Sequence, residues 1–173
     1  MQHPLTIRQE RREDFERVHD ILDRAFRGTN ESRLVAELRR DIDFVPELAL
    51  VGCNENDLPI GTIFFSHLGI DNHAGRDLLA LAPMAVDPAM QLKGIGSQLV
   101  VAGLEKARAM GFRGVIVLGH SEYYPKFGFE RASKWNIHCP LAVSDERFMG
   151  IELRPGGLLD LSGIVRYATS FGI

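Results

Sequence analysis

Seven residues near the middle of the chain, Gln91-Leu92-Lys93-Gly94-Ile95-Gly96-Ser97, carry the clearest chemical signal in this sequence. Two glycines one residue apart let a backbone turn tightly with its amides exposed. Ile95, Leu99, Ala102, Leu104, Ala107 and Met110 follow at helical spacing, with Gln98, Glu105, Lys106 and Arg108 facing away and Gly111 at the stop. A helix N-terminus therefore opens behind the glycines, and its unpaired N–H groups and positive dipole end favour an anion. A diphosphate accepting several such bonds, each worth roughly 1.5 to 3 kcal/mol because the acceptor is charged, would be held without metal or base reading. Lys93 adds attraction.

Spacing separates the phosphate loops that share these features. A Walker loop needs a glycine four residues before Gly-Lys-Ser/Thr, and neither that glycine nor Lys-Ser/Thr is present. A dinucleotide fingerprint would place its third glycine or alanine where Leu99 stands, and no acidic residue ends the strand Val115 to Leu118. It remains the weaker reading.

The elements that must position this loop can be read on either side of it. Leu5 and Ile7 alternate as in a short strand, and Phe15, Val18, Leu22, Ala25 and Phe26 recur as in a helix. Asn30 is placed to cap a second helix with an apolar face of Leu34, Val35 and Leu38. Three apolar runs, Leu48 to Cys53, Ile60 to Ile70 and Leu78 to Val86, are divided by polar turns and read as antiparallel strands. In the second run Phe64 and Phe65 face apart, one toward the core and the other toward a pocket. Val115 to Leu118 is too short for a helix and reads as a buried strand, so Leu78 to Leu118 forms strand, crossover helix, strand. Beyond it, Ser121 to Phe127 reads as a short helix, Phe129 to Ile137 and Phe148 to Leu153 as strands, and Gly156, Gly157 and Gly163 as breaks.

Together, Val86-Asp87-Pro88, Gln-x-x-Gly-x-Gly at Gln91 to Gly96 and Tyr-x-x-x-Gly-Phe at Tyr124 to Phe129 resemble the ordered landmarks of the GNAT superfamily of acyl-CoA-dependent N-acetyltransferases. The resemblance runs from about Leu5 to Ile137, and Val165-Arg166-Tyr167 resembles a bacterial subgroup of predicted acetyltransferases. It implies an α/β fold with a mixed, mostly antiparallel sheet, a parallel splayed strand pair and flanking helices. It implies that acetyl-CoA is the cosubstrate, with Gln91, Leu92, Lys93, Gly94, Ile95, Gly96 and Ser97 around its diphosphate. Pantetheine would lie along Met84, Ala85 and Val86, the Met84 amide polarising the thioester carbonyl, and Pro83 would mark the bulge where the splay begins. Tyr124 matches the general acid that protonates the leaving thiolate. The acceptor amine must also lose a proton. With a reference pKa of about 10.4 for a lysine-like amine, presenting the free base near neutrality costs roughly 4 to 5 kcal/mol. His120 and Glu122 follow the strand and are the candidates for this step, though the family motif does not dictate them.

Composition narrows the alternatives. With 173 residues, 45% hydrophobic and 25% charged, the chain fits a single domain over residues 1–173 with a buried core. A net charge of -3 disfavours nucleic acid and anionic membranes as partners. Cys53 and Cys139 lie far apart, and His138 beside Cys139 faces away from it; a structural thiol in a reducing compartment fits. The segment from Met1 to Arg8 lacks a signal-peptide core, and a cytoplasmic location is expected. His67 and His73 read as surface residues without metal partners, so no metal is expected. The acceptor is expected to be a small-molecule or peptide amine, and a homodimer is a family-level expectation. A catalytically silent acyl-CoA sensor and a dinucleotide-binding enzyme stand as the rival functions.

Overall fold

The alternation at the start of the chain becomes strand β1 (Thr6–Gln9) in the computed structural model, which describes residues 4–173. Met1, Gln2 and His3, part of the segment read for targeting, lie outside the described residues. Helix α1 (Phe15–Phe26) buries Val18, Ile21 and Leu22 and stops at Arg27, whose φ of 55° breaks the helical path. Helix α2 (Asn30–Leu38) follows. Its cap is Thr29 rather than Asn30, which already lies inside the helix, and Ser32 Oγ donates to the Thr29 carbonyl at 3.2 Å.

The three apolar runs become β2 (Leu50–Cys53), β3 (Pro59–His67), β4 (Gly69–Ile70) and β5 (Leu78–Val86). Helix α3 (Ile95–Ala109) leads into β6 (Gly114–Leu118), and β7 (Glu130–Arg131), β8 (Ile137–His138), β9 (Phe148–Glu152) and β10 (Gly163–Arg166) complete the strands. The main sheet runs β1-β2-β3-β5-β6-β9-β7. Its neighbours are antiparallel except for β5 and β6, the parallel pair joined through α3. The second apolar run divides at Leu68 because β4 leaves this sheet and joins a smaller one, β4-β10-β8.

Of three hydrophobic cores among the described residues, one joins Leu78, Ile116 and Phe148 of the main sheet to Ile70, Ile137 and Val165 of the smaller one, and the other two flank the main sheet around β3. On one side Leu99, Val100, Leu104 and Ala107 of α3 pack with Ile63, Phe65, Leu79, Leu81, Val115 and Val117. A Cβ on Gly103 would come within 2.5 Å of the Phe65 ring, so the helix can seat this low only because residue 103 has no side chain. On the other side α1 and α2 pack over Val51, Phe64 and Ala85. Phe64 and Phe65 do face apart, but both are fully buried, one in each of these two flanking cores, and neither lines a pocket. Met110, read as part of the α3 stripe, is 41% exposed because the helix has ended there.

The last third departs most from its sequence pattern. Phe129 to Ile137 is not one strand: a 3-10 turn at Ala132–Trp135 separates β7 from β8 and ends at Asn136 with φ 57°. The turn carries Trp135 inward, where its Nε1 donates to Glu152 Oε1 at 3.2 Å. Ser121 to Phe127 shrinks to the single 3-10 turn Tyr124–Phe127, closed by Gly128 at φ 102°. Gly163 does not break structure but opens β10. Its φ of 109° and an Asp71 carboxylate 2.9 Å from where a Cβ would sit explain why glycine is needed. The next amide, Ile164 N–H, donates to Asp71 Oδ2 at 2.8 Å.

Candidate active site

The parallel pairing of β5 and β6 lasts for three residues, Leu78 with Gly114, Leu79 with Val115 and Ala80 with Ile116. β5 continues to Val86 without a partner on that side, so a gap opens between the strands. The cause lies in the β3 ladder: its register shifts between Ile63 and Phe65, leaving Ala82 and Pro83 together opposite Phe64. Such a bulge adds local twist, and Pro83 brings no amide that would need a partner. The ladder then fixes which groups face the gap. Asp87 N–H donates to the Ile60 carbonyl at 2.9 Å. Since bonded and unbonded pairs alternate in an antiparallel ladder, Ala85 also bonds toward β3, while the main-chain groups of Met84 and Val86 point into the gap. Gln91 Nε2 donates to the exposed Val86 carbonyl at 3.2 Å.

The loop beyond β5 is built to keep its amides bare. Pro88–Met90 forms a 3-10 turn in which Asp87 Oδ1 accepts from Ala89 N–H at 2.9 Å. Leu92 and Gly94 both take left-handed backbone, φ 62° and 78°, and the Leu92 side chain stands fully in solvent. Gly94 precedes α3, and no side chain among the described residues caps that helix. Its first ladder bond runs from Gln98 N–H to the Gly94 carbonyl at 3.1 Å. Among the described residues, no amide from Leu92 to Ser97 donates to a protein group. Bare amides at a helix N-terminus fit a multiply charged anion. Lys93 is exposed, its Nζ 3.9 Å from Met90 Sδ. A Cβ on Gly96 would meet Tyr123 Oη at 3.0 Å, Val86 Cγ2 at 3.6 Å and Met84 Cε at 3.8 Å. The loop therefore borders the end of β5.

Tyr124 is buried beside the end of β6. Its ring covers Gly119, where a Cβ would come within 2.4 Å of it, and it meets Phe129 edge-on at 5.5 Å between centroids. Its hydroxyl has no hydrogen-bond partner among the described residues. Burial, and then Tyr123, push its pKa up to about 12, so the phenol is neutral at rest. His120 and Glu122 stand in solvent without a side-chain hydrogen bond among the described residues, and no bond joins either to Tyr124. Only the main chain of His120 takes part: its carbonyl accepts from Tyr123 N–H at 3.1 Å and Tyr124 N–H at 3.4 Å. The arrangement thus unites Met84, Val86, the loop 91–97 and the tyrosine pair, and leaves His120 and Glu122 at its rim.

The model of the acetyltransferase (GNAT) family matches residues 15–129. The chain belongs to the GNAT acetyltransferase family. The Escherichia coli (strain K12) protein named uncharacterized N-acetyltransferase YhbS is 31% identical over 156 residues, covering 89% of this chain and 90% of YhbS. The crystal structure of Escherichia coli YhbS in complex with CoA matches with a TM-score of 0.92 at 28% identity, over 99% of this chain and 93% of that one. A GNAT family acetyltransferase from Brucella melitensis, in complex with acetyl-CoA, matches with a TM-score of 0.80 at 29% identity, over 98% and 99%. The mixed sheet, its parallel pair and its flanking helices are the GNAT fold.

This GNAT acetyltransferase also makes contacts around the loop that the sequence does not assign, above all at Asp87, which is read there only as part of Val86-Asp87-Pro88. Asp87 is 4% exposed, and its Oδ2 accepts from Arg17 Nη2 at 2.5 Å and Arg24 Nη1 at 3.0 Å, both from α1. Burial alone would raise its pKa, but the Ala89 amide and the Arg17 guanidinium outweigh it and hold the carboxyl below the ordinary range. The available signals were Asp-Pro as a turn opener and an Arg17, Asp20, Arg24 stripe at helical spacing. Lys126 Nζ lies 4.0 Å above the Tyr123 ring.

The remaining candidates of the sequence fall elsewhere in the GNAT fold. His73 bonds Asp77 at 2.7 Å, and His67 is half-buried against Phe112 rather than on the surface. His138 turns from Cys139 to Asn136, 2.7 Å away. Cys53 is buried, and burial pushes its thiol up to about 11. Among the described residues, no three His, Cys, Asp or Glu side chains form a metal-sized cluster, and no helix is long and apolar enough to cross a membrane.

Proposed function

We propose that this GNAT family member transfers the acetyl group of acetyl-CoA to an amine by direct attack. The observation that carries the reading is the gap beyond Ala80 and Ile116, where Met84 and Val86 present main-chain groups beside the bare amides of Leu92 to Ser97. The amides would hold the diphosphate, with Gln91 and Lys93 beside it, and the β5 edge from Met84 through Ala85 to Val86 would pair with the amide-bearing pantetheine arm. The CoA of the YhbS complex and the acetyl-CoA of the Brucella melitensis complex support the same ligand here.

In the reaction the amine nitrogen bonds the carbonyl carbon and loses a proton, the carbon–sulfur bond breaks, and the sulfur gains a proton. The Met84 N–H is the donor for the oxygen that gains charge in the transition state. Tyr124 supplies the proton to sulfur. The buried phenol near 12 is a weak acid beside a solvent-exposed thiol of about 8.5, a mismatch of roughly 4 to 5 kcal/mol. A shared apolar site offsets it, because burial raises thiols as well, as it does for Cys53. His120 or Glu122 receives the amine proton through water at the rim. The acceptor class is a small-molecule or peptide amine.

The test is thiol release from acetyl-CoA across an amine panel, with calorimetric titration of acetyl-CoA and NAD alongside. Turnover with an amine, heat with acetyl-CoA and none with NAD support the reading. Binding without turnover on any amine would instead support an acyl-CoA sensor.

A further inference from the structure

Asp87 stands at the junction between the open end of β5 and the loop at 91–97, and every polar atom it owns is engaged. Its N–H donates to the Ile60 carbonyl at 2.9 Å and its carbonyl accepts from Met90 N–H at 2.7 Å. Its Oδ1 accepts from Ala89 N–H at 2.9 Å, and its Oδ2 receives Arg17 at 2.5 Å and Arg24 at 3.0 Å. One residue thus joins β3, the turn at 88–90 and α1. Ala85 faces the α1 core, and side chains two apart along a strand share a face, so the carboxylate works from behind the loop.

The charge arrangement points the same way. An uncompensated carboxylate close to a diphosphate would repel it. Here two guanidiniums neutralise the carboxylate, and Arg17 is fixed in turn by the Pro59 carbonyl at 3.0 Å and Asp20 Oδ2 at 2.6 Å. α1 cannot yield easily, because Val18, Ile21 and Leu22 are fully buried in its core. The turn that aims the amides is therefore set before any ligand arrives, which lowers the ordering cost of binding.

We propose that Asp87 is a positioning residue for the anion-binding loop, and that Arg17 and Arg24 of α1 hold it in place. The inference rests on the acetyl-CoA reading for its kinetic consequence, but not for its structural one. The carboxylate itself touches no substrate in this role. It acts through Ala89 on the turn that leads to the loop amides, while Met90 is held by the Asp87 main-chain carbonyl.

The experiment uses the full-length protein with Asp87→Ala, Asp87→Asn and Arg24→Gln, and has two readouts. In steady-state kinetics, Asp87→Ala is expected to raise KM for acetyl-CoA about tenfold and to lower kcat by much less, with Asp87→Asn in between and Arg24→Gln at about two- to threefold. In hydrogen exchange of the ligand-free proteins, the amides of Ala89 and Met90, the two that Asp87 holds, are expected to exchange faster in the variants, while β3 and the middle of α3 keep wild-type rates. A merely structural role would lower the melting temperature and leave KM unchanged in the folded fraction, which overturns the proposal. So does unchanged exchange at Ala89 and Met90. Should Asp87→Ala not fold, Asp87→Asn and Arg24→Gln decide by the same two readouts. If the wild type binds no acetyl-CoA, it is the acetyl-CoA reading that fails, and exchange at Ala89 and Met90 still decides whether Asp87 holds the turn that opens the loop.

Discussion

Tyr123 and Tyr124 meet edge to face at 5.2 Å between ring centroids, yet their hydroxyls have different company. Tyr123 Oη lies 3.4 Å from Ser97 Oγ at the start of α3, while Tyr124 Oη has no partner among the described residues. A proton donor needs a hydroxyl free to turn toward the group it protonates.

The two tyrosines should therefore separate in kinetics. Tyr124→Phe is expected to lower kcat by about 100-fold or more with little change in melting temperature, since the ring contacts with Gly119 and Phe129 survive. Tyr123→Phe should stay within about threefold of wild type. Thiol release measured at saturating acetyl-CoA checks both. With Tyr124 pushed up to about 12, its ionisation should not lower the rate between about pH 7 and 10.

The two loop glycines make different demands. Gly94 has φ 78° and open space around its missing side chain, so Gly94→Ala should cost about 1 kcal/mol of stability through backbone strain alone. Gly96 lies inside the helix without that constraint, but its Cβ would crowd Tyr123 Oη at 3.0 Å and point toward Val86 and Met84. Gly96→Ala is expected to weaken acetyl-CoA binding at least about tenfold while melting near the wild-type temperature. Calorimetric titration and thermal melts on both variants tell the two effects apart.

Stability should fall on mild acidification through His19. Arg39 is bonded to Glu10 at 2.9 Å, lies 3.8 Å over the Phe15 ring, and places Nη1 2.7 Å from His19 Nε2. Burial, and then Arg39, hold the imidazole below its ordinary pKa. The unfolded chain then binds the proton more readily, so stability rises with pH through this window. The contribution is complete above about pH 6.5 and is lost as pH falls through the lowered folded value. His67, lowered by burial and then by Arg76, adds in the same direction. The melting temperature should drop between about pH 7.5 and 5.5, and His19→Gln, which keeps an acceptor for Arg39, should flatten part of that drop.

The parts of this molecule that sequence discloses are those built from local period. The α3 stripe, the Gly-x-Gly that opens it and the run Val115 to Leu118 give the crossover and the loop, and Pro83 marks the bulge at the splay. What it conceals is set by distant partners. β7 and β8 are two residues long and have no period to read; pairing with β9 and β10 makes them strands. The Arg17–Asp87 bond spans 70 positions, so neither residue betrays the other locally. Phe64 and Phe65 looked like one core residue and one pocket residue because a sheet covered on both faces cannot be told from a half-exposed one at two positions.

The central claim is that bare main-chain amides at the start of α3 receive the diphosphate of acetyl-CoA. Backbone amide shifts followed by NMR during an acetyl-CoA titration test it most directly. The account predicts that the largest changes fall on residues 92–97, with Met84 and Val86 moving in step at the same saturation point. Saturable binding that leaves the amides of 92–97 unmoved, or no binding of any CoA thioester, would contradict it.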